Sequence, residues 1–346
     1  MSTFVSILLA FVVLSFFVVV HELGHYGVGR LLGFGIVEFA VGMGPVVFKV
    51  KRKGIDYALR ALPIGGMCRF YGEDEDLPAG TAAGIPFNAQ KVWKRFLVVL
   101  AGPVMNFIFA IIFAIVALVA YGDYLPQIQE FSFENSPAEE AGLLPGDILV
   151  NVDGHEIMYY TQATDFIVGA NSEESPVTVL RNGERVTVTM HDFYSQADGR
   201  NMLGIQIDYA RVHFGFFEAC GRSFGYVWSM LIEMVKFLGT VFQGTVQSGD
   251  VVGPVGTITT IAQAVRLGFE TVLRLAVLIS VNLGFINILP FPALDGGRLS
   301  FMLVEMVRGK PVAPQREGVV HFVGFVLLMA LMAYLVVKDV SGLFGG

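Results

Sequence analysis

His21-Glu22-Leu23-Gly24-His25 closes an almost unbroken apolar run that begins at Phe4 and ends at Val20. On a helix, residues four apart share a face, so His21 and His25 can offer two imidazoles to one cation, with Glu22 projecting beside them. A hydrolytic zinc site uses three protein ligands and keeps one position open for water, whose pKa the metal lowers. A carboxylate next to that water can take its proton and pass it on to a leaving amine. Two histidines and a glutamate at membrane depth are costly unless they serve a ligand, a relay or a pathway. The first stretch therefore predicts a metal site written into a transmembrane helix.

The remainder of the 346-residue chain fits that setting. It is 54% hydrophobic and 15% charged, with a mean hydropathy of +0.63, which places it among polytopic membrane proteins. No basic patch points to nucleic acid. Cys68 and Cys220 are far apart and belong to no Cys-x-x-Cys pair, so each is read as an ordinary small apolar residue in preference to a disulfide partner or a thiolate zinc ligand. Met1-Ser2-Thr3 carries no Lys or Arg and no small-x-small site closes the apolar run, so the first span is read as retained rather than as a signal peptide.

Four spans are predicted. Residues 1–33 form the first, with the motif in its last third. Residues 34–95 form a loop with ten Lys or Arg between Arg30 and Arg95, against four in the longer stretch from Gly122 to His213. That bias makes the loop cytoplasmic and the N-terminus external. Within it, Val46–Val50 and Ile55–Leu59 flank Lys51-Arg52-Lys53-Gly54 and read as a membrane-associated β-hairpin, followed by the glycine-rich Leu62–Met67. A strand edge beside a protease site can receive an extended substrate as one more strand. Glu73-Asp74-Glu75-Asp76 reads as a solvated acidic run. The second span covers 96–121, where Asn106 is assigned to helix packing in preference to a contact with substrate or the metal shell.

Residues 122–200 have the character of a soluble α+β domain. Ser136–Leu143 reads as a short helix, Ile148–Val152 as a strand, and Pro176–Leu180 with Arg185–Thr189 as a hairpin about Asn182-Gly183. This order resembles a PDZ domain, a family that captures chain ends or extended peptides in a strand-helix groove. Within 201–268, the polar residues Glu218, Arg222, Gly225, Ser229, Glu233, Lys236, Thr240 and Gln243 recur three and four apart, which suits a helix lying in the interface, followed by a connector. The third span, 269–297, breaks at Asn287-Ile288-Leu289-Pro290-Phe291-Pro292-Ala293-Leu294-Asp295, because two prolines spaced by one residue cannot continue a helix. Residues 298–317 are a basic cytoplasmic loop and 318–346 the fourth span with an external C-terminus. With four spans, the ends of the first and third meet on the cytoplasmic side, and Asp295 becomes the third ligand, since position 31 is Leu. The other histidines, His155, His191, His213 and His321, have no partner at metal-ligand spacing and read as ordinary residues.

Taken together, His21–His25, Ala101-Gly102-Pro103-Val104-Met105-Asn106-Phe107, the PDZ-like insert and Asn287-x-x-Pro290-x-Pro292-x-x-Asp295-Gly296 resemble the site-2 protease family, most closely its bacterial regulator-of-sigma-E protease branch. The resemblance implies Zn2+ held by His21, His25 and Asp295, Glu22 as general base and acid, and substrate handling by Asn287, Asn282, Pro290, Pro292, Gly65 and Gly66. It further implies a multi-pass protein of the bacterial inner membrane, with the PDZ-like domain outside and the active site toward the cytoplasm. The substrates would be single-span membrane proteins, such as anti-sigma factors or signal-peptide remnants, already cut once outside. The best-known members carry two PDZ domains and this chain has one. The rival readings are an inactive substrate-binding membrane module and a metal transporter. A transporter should show repeated broken helices, and only one is visible. A pseudo-protease should lack Glu22 or a ligand, and all are present.

Overall fold

In the computed structural model the apolar run and the motif form one helix, α1 (Thr3–Leu31). The described residues are 3–73, 84–196, 198–245 and 251–344. Of the acidic run, only Glu73 falls among them. They divide into two units, Met1–Phe113 with Met230–Gly346, and Ala114–Ser229.

In the first unit α1 is followed by β1 (Ile36–Arg52) and β2 (Ile55–Phe70). The expected hairpin is present, with Val50 opposite Tyr57, and Lys53 and Gly54 both at positive φ, as a tight two-residue turn requires. It is longer than the sequence suggested. Glu38–Val41 lie opposite Asp56–Leu59 on one side and Gly66–Arg69 on the other, so the two strands fold into a small sheet. The fold-back occurs at Gly42 (φ +85°), where a Cβ would lie 2.5 Å from the carbonyl oxygen of Leu62. The sheet leaves Val46, Val47 and Phe48 exposed and Gly66–Phe70 as an edge.

Next comes α2 (Val92–Tyr121), antiparallel to α1: His25 faces Val98, His21 faces Asn106, and Phe17 meets Phe113. The second unit holds β3 (Asp123–Phe131), α3 (Pro137–Glu140), β4 (Ile148–Val152), β5 (His155–Glu156), α4 (Gln162–Gly169), β6 (Glu174–Arg181), β7 (Glu184–His191), β8 (Tyr194–Ser195), β9 (Arg200–Asn201) and β10 (Ile205–Val212). Its main sheet has the order β10-β3-β4-β6-β7, with β5 paired to β4. Ser136 caps α3 by accepting from the Glu139 N–H, and Asn182-Gly183 makes the β6–β7 turn with both φ positive. Leu125, Ile128, Leu149, Val177, Val179 and Met190 form the core, at 1% exposure or less. The sheet reaches beyond 122–200, because Ile205–Val212 runs the full length of β3.

α5 (Phe216–Gln243) leaves this unit. Arg222, counted in its polar stripe, is buried and bonded to Glu156 and to the carbonyls of Ile157 and Met158. The predicted connector contains a helix, α6 (Pro254–Leu267), whose N-terminal amides at Gly253 and Gly256 donate to the Asp339 carboxylate. α6 packs on α1 through Ile261 and Ala10, with Arg266 reaching Ser6. α7 (Phe269–Ile288) runs parallel to α1, since Leu275 and Ile279 join the cluster around Ala10 while Asp295, just beyond its end, meets His21. The stretch expected to be a basic loop is instead helical, α8 (Asp295–Arg308). It buries Leu299 and Met302 and ends at Gly309 in the left-handed region, an amphipathic pattern obscured by the charges of Arg298, Arg308, Lys310 and Arg316. α9 (Pro314–Phe344) completes the chain. Among the described residues α1, α2, α5, α7 and α9 are long and apolar enough to cross a membrane.

Candidate metal centre

Nε2 of His21 and Nε2 of His25 lie 3.2 Å apart, and Oδ2 of Asp295 lies 2.9 Å from the first and 3.3 Å from the second. The two histidines are one helical turn apart on α1, and the carboxylate comes from the first residue of α8, where the Pro290–Pro292 break turns the chain back. His25 Nδ1 is 2.9 Å from the carbonyl oxygen of Val98 and must donate to it, so Nε2 points an unprotonated lone pair at the cluster. The Asn106 carboxamide, fully buried, is 3.1 Å from His21 Nδ1. The atom placed there is Nδ2, and Oδ1 is buried without a partner among the described residues; exchanging the two amide ends by a 180° turn lets Oδ1 accept the Nδ1 proton and turns the second lone pair inward. Oδ2 of Asp295 is buried and receives no hydrogen bond among the described residues, although two ring nitrogens are within 3.3 Å.

With the rings so protonated, three acceptors converge where nothing among the described residues donates, an arrangement that needs a cation. Tetrahedral zinc with bonds of about 2.0–2.1 Å sets its ligand atoms roughly 3.3 Å apart, so the observed triangle fits. Gly102 makes room for it: a Cβ there would sit 2.4 Å from Cε1 of His25 and 2.8 Å from Nε2 of His21. Gly24 does the same for the helix pair, since its Cβ would fall 2.2 Å from the Ala101 carbonyl oxygen.

Glu22 points to the same space and its Oε2 accepts the Cys68 backbone N–H at 2.9 Å. The base candidate is therefore held by the edge of the small sheet. Burial, reinforced by Glu22 and Glu73, pushes the Cys68 thiol up, so this residue contributes its amide and not a thiolate. The cavity is about 260 Å³ and is lined by His21, Glu22, His25, Asp295, Gly66–Phe70 and Arg298, the last paired with Glu73. A Cβ on Gly66 would lie 3.2 Å from Cγ of Glu22.

Of the residues singled out from sequence, His21, Glu22, His25, Asp295 and Gly66 share this cavity. Gly65 sits against Met43, Asn287 donates to the Leu283 carbonyl of its own helix, Asn282 is exposed, and Pro292 lines a separate apolar groove with Val320 and Val323; neither these four nor Pro290 lines the cavity. Asn106, Gly24, Gly102 and the Val98 carbonyl were not singled out for the site. For Asn106 the signal was available: a lone amide in an apolar helix, facing a chain with two unsatisfied imidazoles.

A family model described as peptidase family M50 matches residues 9–331. The chain is 31% identical to the zinc metalloprotease RasP of Shouchella clausii, over 97% of this chain and 99% of the relative. It is 29% identical to the zinc metalloprotease RasP of Geobacillus kaustophilus, over 99% of each.

Proposed function

The chain belongs to peptidase family M50, and on that footing we propose that it is a zinc-dependent endopeptidase cutting single-span membrane proteins within the bilayer, after a first cut outside. The observation that carries the reading is the convergence of His21 and His25, on a helix apolar enough to span a membrane, with Asp295 at the start of α8 and Glu22 alongside. His21 lies 18 residues into α1, about 27 Å along its axis, so a hydrocarbon core of about 30 Å that α1 enters at its first turn would hold the motif near its far side.

His21, His25 and Asp295 would hold the zinc ion, which when bound supplies the positive charge that acidifies water and polarises a carbonyl. Glu22, steered by the Cys68 N–H, takes the proton of the attacking water and delivers it to the leaving amine. The Gly66–Phe70 edge receives the unwound substrate as an added strand, and the bare Cα of Gly66 keeps the path past Glu22 clear. Asn287, Asn282, Pro290, Pro292 and Gly65 contact the substrate where it runs beyond the cavity.

We read the membrane topology as four spans. α1 and α7 run the same way and α2 the opposite way, so the chain between Tyr121 and Phe269 makes no net crossing. Were α5 a span, α6 would have to cross back. Its 14 residues reach only about 21 Å. The pairing of buried Arg222 with the exposed Glu156 of the sheet unit also supports α5 as an interfacial helix. The charge bias then sets the site toward the cytoplasm and the sheet unit outside. That unit is read as PDZ-like, its groove the cavity of about 150 Å³ between Ile167 and Val168 of α4 and Leu203–Ile207.

The test is zinc analysis and cleavage of a single-span substrate with the full-length chain in vesicles. About one zinc per chain, cleavage lost to a chelator and regained with zinc, and loss of metal in His21→Ala, His25→Ala and Asp295→Ala are expected. Undiminished cleavage by metal-free protein would overturn the reading.

A further inference from the structure

Ala293, two residues before Asp295, has a φ of +75°, in the left-handed region that residues with a side chain rarely occupy. Such a conformation persists only where neighbours hold it. The Ala293 N–H donates to Nδ1 of His321 at 3.0 Å, across from α9. The acceptor role requires a lone pair on Nδ1, which places any ring proton of neutral His321 on Nε2. The ring of Phe301, on α8, packs on His321 with centroids 5.6 Å apart, and Glu317 lies one turn before it on α9. The rest of the turn is equally tight: a Cβ on Gly296 would sit 2.0 Å from the Leu289 carbonyl oxygen, and one on Gly324 of α9 would sit 2.3 Å from Cβ of Pro292. The chain from Leu289 to Gly297 therefore has little slack, and a change of φ at Ala293 swings the following peptide and Asp295 with it.

We propose that His321 is a positioning residue for the metal centre, the Ala293 N–H to His321 Nδ1 bond holding the left-handed turn that aims Asp295 at His21 and His25. It acts through the backbone of one strained residue. The inference rests on Asp295 being a metal ligand.

The experiment compares full-length wild type with His321→Leu, His321→Asn, Ala293→Gly, the His321→Leu/Ala293→Gly double variant and Asp295→Ala, reading zinc retention against a chelator, kcat and KM, and the melting midpoint. His321→Leu keeps the bulk but has no acceptor, and zinc affinity should fall about tenfold, the low end for residues that orient metal ligands, with kcat falling and KM little changed. Asn places Oδ1 where Nδ1 stood and should restore most of the affinity. Glycine adopts positive φ without penalty, so the loss caused by Leu should shrink to about threefold or less in the Ala293→Gly background. Wild-type zinc retention and kcat in His321→Leu overturn the proposal. So does equal impairment of Leu and Asn with no relief from Ala293→Gly, which would mark His321 as packing alone. If those results come with zinc loss in Asp295→Ala, the ligand assignment stands and only the positioning role falls. Full zinc retention in Asp295→Ala overturns both.

Discussion

Oε2 of Glu22 accepts the backbone N–H of Cys68 at 2.9 Å, which ties the candidate base to the sheet edge that would carry the substrate. A carboxylate so held keeps one oxygen engaged and the other free for a proton. Glu22→Gln preserves an acceptor for the Cys68 N–H and removes the basic group. The expected result is full zinc occupancy with cleavage reduced about 10²–10⁴-fold, the usual worth of a general base. Glu22→Asp withdraws the carboxylate by one methylene from both partners and should also keep zinc while losing most activity. Metal content and single-turnover cleavage on the same preparations check both.

Asn106 meets His21 Nδ1 from α2 at no exposure, while its backbone carbonyl accepts from the Ser280 hydroxyl on α7. One residue thus fixes the ring orientation and ties three helices. Asn106→Leu leaves Nδ1–H facing an apolar side chain and should cost about 10–100-fold in zinc affinity. Asn106→Asp supplies a carboxylate acceptor, the common partner of a metal-bound histidine, and should retain more zinc than Leu. Chelator competition ranks the variants; equal affinity in all three would remove Asn106 from the site.

How far the site could be read beforehand depended on what kind of relation joined its parts. His21, Glu22 and His25 are spaced by the helix itself, and the apolar run fixes their setting, so the sequence displays them directly. Asp295 is 270 positions further on than His25 and came within reach only through the count of crossings, an argument about which side each helix ends on. Gly24 and Gly102 matter because two backbones approach closely, and an absent side chain carries no sign of what it makes room for. The pairing of Glu38–Val41 on both sides depends on the fold-back at Gly42, so a local hairpin pattern could show only one of its two registers. α8 was hidden for the opposite reason: its Arg298 and Arg308 read as a loop by charge, while the burial of Leu299 and Met302 that makes it a helix is a tertiary fact.

In the sheet unit, Asp147 is almost fully buried, with Arg181 donating to both its oxygens at 2.7 and 2.8 Å and Leu144 N–H to one at 2.9 Å. Burial raises its pKa, yet the Arg181 guanidinium and the Leu144 amide outweigh that and hold the carboxyl below its ordinary value of about 3.9. A carboxyl whose folded pKa is depressed stabilises the fold above its unfolded pKa and loses that contribution as pH falls toward the folded one. The melting midpoint of the wild type should therefore exceed that of Asp147→Asn at pH 7, with the gap constant down to about pH 5 and closing below about pH 4. A gap that does not change with pH would mean that shape, not charge, is what Asp147 contributes.

The placement of α5 decides which side of the membrane each later element occupies, and its polar face offers a direct measurement. Lys236 pairs with Glu233 on exposed positions, and Phe217 and Phe242, at opposite ends, are each 88% exposed. A helix lying in the interface keeps one face in water along its whole length, whereas a spanning helix wets only its ends. Single cysteines at Ser229, Glu233, Lys236 and Thr240, in a background with Cys68 and Cys220 replaced, should therefore all react with a membrane-impermeant maleimide added from the outer side alone. Val235 and Phe237 on the apolar faces should be protected. Reaction restricted to one end of the helix from each side would make α5 a span, and the even crossing count would then require the chain after Gln243 to traverse the bilayer a second time before α7.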